Sequence, residues 1–400
     1  MILNKVLLTC LTLALLTGCG GGGSGSSSGS GGSTPPSAAN NVVPITVNGS
    51  LCSSATSFGY PNKPCVSVTV CTPGGSTCQT INDILLDTGS TGLRIFKQVL
   101  NVALVQVPSG SGSLAECIQF GDGSSDWGPI QMAGVILGNE PVIQVPIQLI
   151  DSTFGTVPIA CENADKRPED AGFNGILGIA FFLQDCGSEC VNSADNGMYF
   201  TCNGPSCLGS AVSLSSQVQN PIALLPQDNN GAIVELPSVP VSGSPSINGN
   251  LLLGIGTQSN NAPSSVAAYP ADEFGDFAAT FNGVVYSSFI DSGTNGLFFA
   301  SPSAKLLPNC SDSPDWFCPS SAVNLSATNT GATGSPSGVV SFVIGNFDTL
   351  TSSSNNVFVN IGGESSVDFE WGLPFFFGRN IYVGMEGKKS SLGSGLYWAY

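Results

Sequence analysis

The 400-residue chain contains no histidine, which removes Ser-His-Asp and Cys-His catalysis and every histidine-ligated metal site. Ten Lys and Arg stand against 27 Asp and Glu, a formal charge of -17, so a phosphate backbone would be repelled and nucleic acid is not an expected partner. Only 9% of residues are charged, while Gly (51) and Pro (26) are abundant, which predicts many turns, few amphipathic helices and a largely β architecture.

The chain opens on an address. Lys5 is followed by an apolar stretch from Val6 to Leu16, too short to span a membrane, and then by Leu16-Thr17-Gly18-Cys19. This resembles a bacterial lipoprotein signal over residues 1–18. The resemblance implies acylation of Cys19 and, because Gly20 rather than Asp follows, sorting to the outer membrane. An ordinary secretory peptide with a stray cysteine is the alternative. Residues 19–41 read as a Gly/Ser-rich tether, with an r.m.s. span of about 25 Å by random-coil scaling. No later segment reads as a transmembrane helix, so the expected membrane contact is the lipid anchor alone.

Twelve cysteines remain after Cys10 and Cys19 are set aside, and an even number in an exported chain argues for disulfides. Cys71/Cys78, Cys202/Cys207 and Cys310/Cys318 are close enough in sequence for local loops. Cys186, Cys190, Cys202 and Cys207 could instead offer four thiolates to zinc, although their spacing is not that of a zinc knuckle and the expected compartment is oxidising. Neither a metal nor a cofactor is expected.

Two short stretches 204 residues apart nearly repeat one another: Ile84-Leu85-Leu86-Asp87-Thr88-Gly89-Ser90-Thr91-Gly92-Leu93 and Ser288-Phe289-Ile290-Asp291-Ser292-Gly293-Thr294-Asn295-Gly296-Leu297. One Asp-Thr-Gly is a common turn; two, each closing an apolar strand pattern, look like halves of one site. Later in each half comes an apolar-apolar-Gly run. Gly178 ends Asn174-Gly175-Ile176-Leu177-Gly178, 91 residues after Asp87, and Gly378 ends Phe375-Phe376-Phe377-Gly378, 87 residues after Asp291. A duplication with matching internal spacing predicts two lobes, residues 42–262 and 263–400.

These motifs resemble the pepsin-like aspartic proteases, from about residue 42 to the end. In that family each lobe carries an Asp-Thr/Ser-Gly-Ser/Thr loop beside a hydrophobic-hydrophobic-Gly strand. The implied fold is all-β and bilobal, two related six-to-eight-stranded lobes with the cleft between them. Phe377-Gly378-Arg379-Asn380 is closer to the Gly-Arg-Asn/Asp signature of retroviral-type aspartic proteases. Phe120-Gly121-Asp122-Gly123-Ser124 resembles the substrate-covering flap, with Phe120 where pepsins carry tyrosine. The layout also resembles that of a family of uncharacterised proteobacterial lipoproteins.

The resemblance implies an Asp87/Asp291 dyad. Two carboxylates held together cannot both ionise readily, so they share a proton and titrate as a pair; aspartic proteases are the standard instance. One takes a proton from water while the other donates to the carbonyl oxygen of a polypeptide substrate. Thr88 and Ser292 would cross-brace the loops, Gly89 and Gly293 would aim backbone N–H groups at the carboxylates, and Ser90 and Thr294 would bond their outer oxygens. Arg379 would brace the second loop, the alternative being a surface arginine. Trp127 would either supply the donor that Phe120 lacks or sit in the core.

The expected function is therefore a lipid-anchored acid endopeptidase of the cell envelope, acting as a monomer. A silent pepsin-fold binding or structural lipoprotein is the second reading, favoured by Phe120 and by the absence of charge across residues 20–41, where pepsin-like zymogens carry a basic pro-region. A two-carboxylate glycosidase is the third, which leaves the repeated Asp-Thr/Ser-Gly unexplained.

Overall fold

Val66, Val68 and Val70 are fully buried while Ser67 and Thr69 between them are not, the period-two signature of a strand with one face in a core. The computed structural model describes residues 39–53 and 60–400. Cys19, the signal segment and most of the tether lie outside the described residues. Ala39–Tyr400 forms one compact unit. It is all-β, its helices among the described residues being short turns such as Phe347–Thr351.

Six strands of the first half close into a barrel. Pro64–Cys71 pairs with Cys78–Asp87, which lies parallel to Gly175–Ile179. The ring continues through Thr91–Phe96, Ile143–Ile150 and Ser125–Ile136, which returns to Pro64–Cys71. Closure leaves no unpaired edge in this ring, and Ile84, Leu86, Leu93, Ile95, Val145 and Leu177 fill the interior without exposure.

The second half builds an open seven-stranded sheet, in the order Ser337–Ile344, Val323–Thr330, Phe277–Phe281, Val284–Ile290, Phe369–Trp371, Leu297–Phe299, Gly362–Glu364. An open curved sheet must fill its concave face, and large rings do so here. Phe299 stacks on Phe369 at 5.2 Å and meets Phe281 edge-on at 5.1 Å, with Trp371 4.6 Å from Phe369.

An antiparallel platform joins material from both halves. Val42–Val47, Ile247–Leu253 and Gly231–Leu236 are followed by Arg379–Gly384, Tyr397–Ala399 and Ala268–Pro270. Three strands from beyond residue 262 thus belong to the first sheet, so a boundary at 262/263 divides the sequence and not the sheets.

All twelve cysteines considered above are paired: Cys52–Cys65, Cys71–Cys78, Cys117–Cys161, Cys186–Cys190, Cys202–Cys207 and Cys310–Cys318. The zinc alternative fails here because Cys186, Cys190, Cys202 and Cys207 are consumed in two separate disulfides, leaving no thiolate to ligate a metal.

Candidate active site

Each repeated motif ends a strand and turns its aspartate into a cage of donors. The Asp87 inner oxygen Oδ1 accepts from Gly89 N–H at 2.7 Å and Ser90 N–H at 3.2 Å, and Oδ2 accepts from the Ser90 hydroxyl at 2.5 Å. Asp291 repeats the arrangement, with Gly293 N–H on Oδ1 at 2.7 Å and the Thr294 hydroxyl on Oδ2 at 2.8 Å. Backbone N–H groups reach a carboxylate this closely because the residue two positions on is glycine.

The two loops meet. Thr88 N–H donates to Ser292 Oγ at 3.1 Å and Ser292 N–H donates to Thr88 Oγ1 at 2.9 Å. Each hydroxyl then donates across to a strand carbonyl, Thr88 to Ile290 O at 2.9 Å and Ser292 to Leu86 O at 2.7 Å. Both residues are buried, so the four bonds satisfy one another without solvent. Gly89 N–H also donates to Asp291 Oδ1 at 3.1 Å, so one backbone donor bonds both carboxylates, and a protonated Asp291 lies within hydrogen-bond reach of Asp87. A Cβ on Gly89 would lie 2.7 Å from Asp291 Cγ, and one on Gly293 would lie 3.0 Å from Asp87 Cγ. Larger residues at either position would push the carboxylates apart.

A crossing strand supports each loop. Gly175–Ile179 runs parallel to the strand entering the first loop and antiparallel to the one leaving it, with Gly178 opposite both Asp87 and Gly92. Its glycine is required, since a Cβ would fall 2.7 Å from Ser90 O. Phe369–Trp371 does the same for the second loop, parallel to Val284–Ile290 and antiparallel to Leu297–Phe299. Here Gly372 is the tight position, its Cβ 2.0 Å from Gly296 O and 2.6 Å from Thr294 O. The expected partner, Gly378, is not there. Phe377-Gly378-Arg379-Asn380 enters the central platform, with Arg379 opposite Leu236. The better-looking apolar triplet forms the turn that leads from the second sheet into the platform strand, with Phe375 packed 4.9 Å from Trp371, and the true crossing strand is disguised by the acidic Glu370 within it.

Arg379 therefore does not brace the second loop. Its guanidinium lies 4.5 Å over the Phe375 ring and donates to Phe375 O at 2.7 Å; burial lowers its pKa. The arginine that supports an Asp loop is Arg94, on the strand leaving the first one. Wholly buried, it bonds Thr91 O at 2.7 Å, Glu116 at 3.0 Å and Asp185 at 2.9 Å. Its cue in the sequence was a lone charge inside the apolar run Leu93-Arg94-Ile95-Phe96.

Phe120, Gly121, Asp122 and Gly123 form the tip of the hairpin between Gly112–Gln119 and Ser125–Ile136, closed by Phe120 N–H on Ser124 O at 2.9 Å. The Asp122 charge acts on both Tyr60 and Glu370, so this tip lies on the dyad side. Trp127 is a core residue. It is wholly buried, donates to Phe154 O at 2.7 Å and meets Phe200 edge-on, so it supplies no donor to the cleft. Tyr60 does stand there: its hydroxyl donates to Gly293 O at 3.2 Å. Burial, then Asp291, Asp87 and Asp122, hold its phenol well above the usual range. Nothing in the sequence around Tyr60 signals this position.

The electrostatics favour a proton on the pair. Burial pushes the Asp291 carboxyl well above the ordinary carboxylate range, reinforced by the charges of Asp87 and Glu370 and by the hydrogen bond that its protonated form donates to Asp87, while Thr294 opposes. Half-buried Glu370 is pushed up to about 7, first by burial, against the opposing hydrogen bond from Thr294, with the charges of Asp368, Asp87 and Asp122 adding to the rise. Among the described residues, Cys52/Cys65/Asp83 and Cys310/Cys318/Asp348 are the groups clustered tightly enough for a metal, and their sulfurs are disulfide-bonded. One cavity of about 350 Å³, lined by Val239, Leu297, Phe342, Trp371 and Arg379, contains neither aspartate, so it is not the dyad's cleft. What the dyad offers chemically is one proton between two carboxylates, with water as the natural third partner.

A family model described as "Protein of unknown function (DUF3443)" matches residues 37–400, and so covers every described residue. No curated protein matches the chain.

Proposed function

The chain belongs to the DUF3443 family, whose description carries no activity, and from the site itself we propose that the protein is an acid endopeptidase of the aspartic type with a pepsin-like bilobal fold. The observation that supports this most directly is the reciprocal clasp that holds Asp87 and Asp291 side by side on one shared Gly89 N–H, within matching cages of donors. A carboxylate pair built only as a turn would not need a shared Gly89 N–H or two glycines excluded from growth by the opposite carboxylate.

In this reading the ionised carboxylate takes a proton from a water bound between the two, and that water attacks the scissile carbonyl carbon. The protonated carboxyl donates to the carbonyl oxygen, giving a tetrahedral intermediate without a covalent adduct. Collapse expels the amine, which leaves with a proton. Gly89 N–H lies where it steadies the inner oxygens of both residues. The Tyr60 hydroxyl beside Gly293 takes the place of the flap tyrosine that Phe120 does not supply. The Phe120–Ser124 tip covers the substrate. The Leu16-Thr17-Gly18-Cys19 box supports placement in the cell envelope through a lipid on Cys19.

The test is cleavage of unfolded casein between pH 3 and 6, with binding of a peptide that carries a hydroxyl in place of the scissile carbonyl. Cleavage lost in Asp87→Asn, with tighter binding of the mimic to wild type than to the mutant, is the expected result. A protein that cleaves nothing in this range and ignores the mimic would be the silent binding lipoprotein instead.

A further inference from the structure

Thr294 has two acidic neighbours and one proton to give. Its hydroxyl bonds Asp291 Oδ2 at 2.8 Å and is also in close hydrogen-bond contact with Glu370 Oε1. A hydroxyl donates once, and an ionised carboxylate only accepts. With both acids ionised, one contact would set two oxygen lone pairs against each other. One carboxyl of the three-residue chain must therefore carry a proton. The first loop is built differently: Ser90 bonds Asp87 alone, and the residue matching Glu370 on its crossing strand is Ile176.

We propose that Glu370 is a positioning residue of the dyad, whose carboxyl proton bonds Thr294 Oγ1 and so turns the threonine proton onto the outer oxygen of Asp291. This rests on the aspartic peptidase reading of the pair. With Glu370 protonated, Asp291 Oδ2 receives a donor and tolerates negative charge, and the dyad's own proton stays between the inner oxygens. When Glu370 gives its proton to solvent, the Thr294 hydroxyl turns to the new carboxylate. The Asp291 outer oxygen then faces a lone pair, and the contact is restored only if the dyad's proton moves outward to Oδ2. That draws the proton away from the water. The ionisation of Glu370 thus closes the working range from the alkaline side.

The surroundings keep Glu370 protonated in acid. Asp368 is on its own segment, Asp291 and Asp87 belong to the two loops, and Asp122 approaches from the hairpin tip. Tyr60, beside Gly293, is the other titratable group facing the site. None of the ion pairs among the described residues includes Glu370 or any of these groups. Burial is the largest cause, and with these charges it outweighs the opposing hydrogen bond from Thr294 and brings the carboxyl to about 7.

Glu370→Gln tests this, because its amide presents a donor to Thr294 at every pH. The ratio of mutant to wild-type affinity for the hydroxyl-bearing peptide should rise about twofold at pH 7 and about tenfold one unit higher, as one titrating group implies. In a Thr294→Val background the same substitution should no longer change the ratio. A ratio flat with pH overturns the proposal, and so does an undiminished rise in the Thr294→Val background, which would mean a field acting through space. A second measurement needs no activity. Carboxyl-¹³C NMR of Asp291 should show a titration step at the Glu370 midpoint that is absent in Glu370→Gln. If that step is present while wild type binds and cleaves nothing, the peptidase reading fails and the hydrogen-bonded chain stands. If the step is missing, the chain fails even in an active enzyme.

Discussion

Thr88 and Ser292, 204 residues apart, each donate a backbone N–H to the other's side-chain oxygen, at 3.1 and 2.9 Å. Neither bond survives alone, because each hydroxyl that accepts from the opposite loop also donates to a carbonyl of it. The clasp converts two turns into one site. Thr88→Ala should leave the buried Ser292 N–H unpaired and cost about 1–3 kcal/mol in urea unfolding. Ser292→Ala should do the same to Thr88. The double mutant should cost less than the sum, since the residues share one network. Strict additivity would mean that the clasp contributes nothing as a unit.

Asp87→Asn and Asp291→Asn should each abolish peptide cleavage, because each carboxyl makes a different proton transfer. Removing both should cost little more than removing one, as expected for groups acting together. Steady-state rates on one fluorogenic peptide decide it. Retention of more than a small fraction of activity in either single mutant would exclude a dyad.

Asp126 predicts how stability varies with pH. Wholly buried, with neither carboxyl oxygen hydrogen-bonded among the described residues, it is raised to about 8, by burial first and against the opposing pull of Arg94. A folded pKa above the unfolded one means that the folded protein holds the extra proton. Its contribution is therefore complete below about pH 4 and is lost as pH rises towards 8. The wild type should lose stability relative to Asp126→Asn across that window, at a slope of at most about 1.4 kcal/mol per pH unit. Parallel urea-midpoint curves for the two proteins would contradict the assignment.

The disulfides should contribute unequally. Cys117–Cys161 closes a separation of 44 residues and is buried, whereas Cys186–Cys190 closes 4. Chain-entropy scaling gives about 4 kcal/mol for the first and about 2 kcal/mol for the second. Melting of the paired Cys→Ala variants should rank them in that order, and a chelator should change neither.

Cys19→Ser should release the protein from the membrane fraction, since the box around it resembles a lipoprotein signal. Labelled fatty acid that fails to enter the wild-type chain would remove the anchor from the proposal.

The all-β character and the paired Asp loops were legible in the sequence because both depend on local order. Val66-Ser67-Val68-Thr69-Val70 alternates whatever it packs against, and Asp-Thr/Ser-Gly carries its own turn geometry. The three short cysteine loops, Cys71–Cys78, Cys202–Cys207 and Cys310–Cys318, were legible on the same ground. The partners those elements would take were not. Phe375-Phe376-Phe377-Gly378 matches the apolar-apolar-Gly pattern better than Phe369-Glu370-Trp371-Gly372, yet the second segment lies beside Asp291. A pattern of apolar residues fixes how much surface a segment buries and leaves open where it is buried; the three phenylalanines fill the core from the turn between the second sheet and the platform strand. Arg94, Tyr60 and Glu370 were hidden for a related reason. Their roles come from groups 22, 233 and 76 residues away, namely Glu116, Gly293 and Thr294, and only the closed fold brings such partners within hydrogen-bond distance.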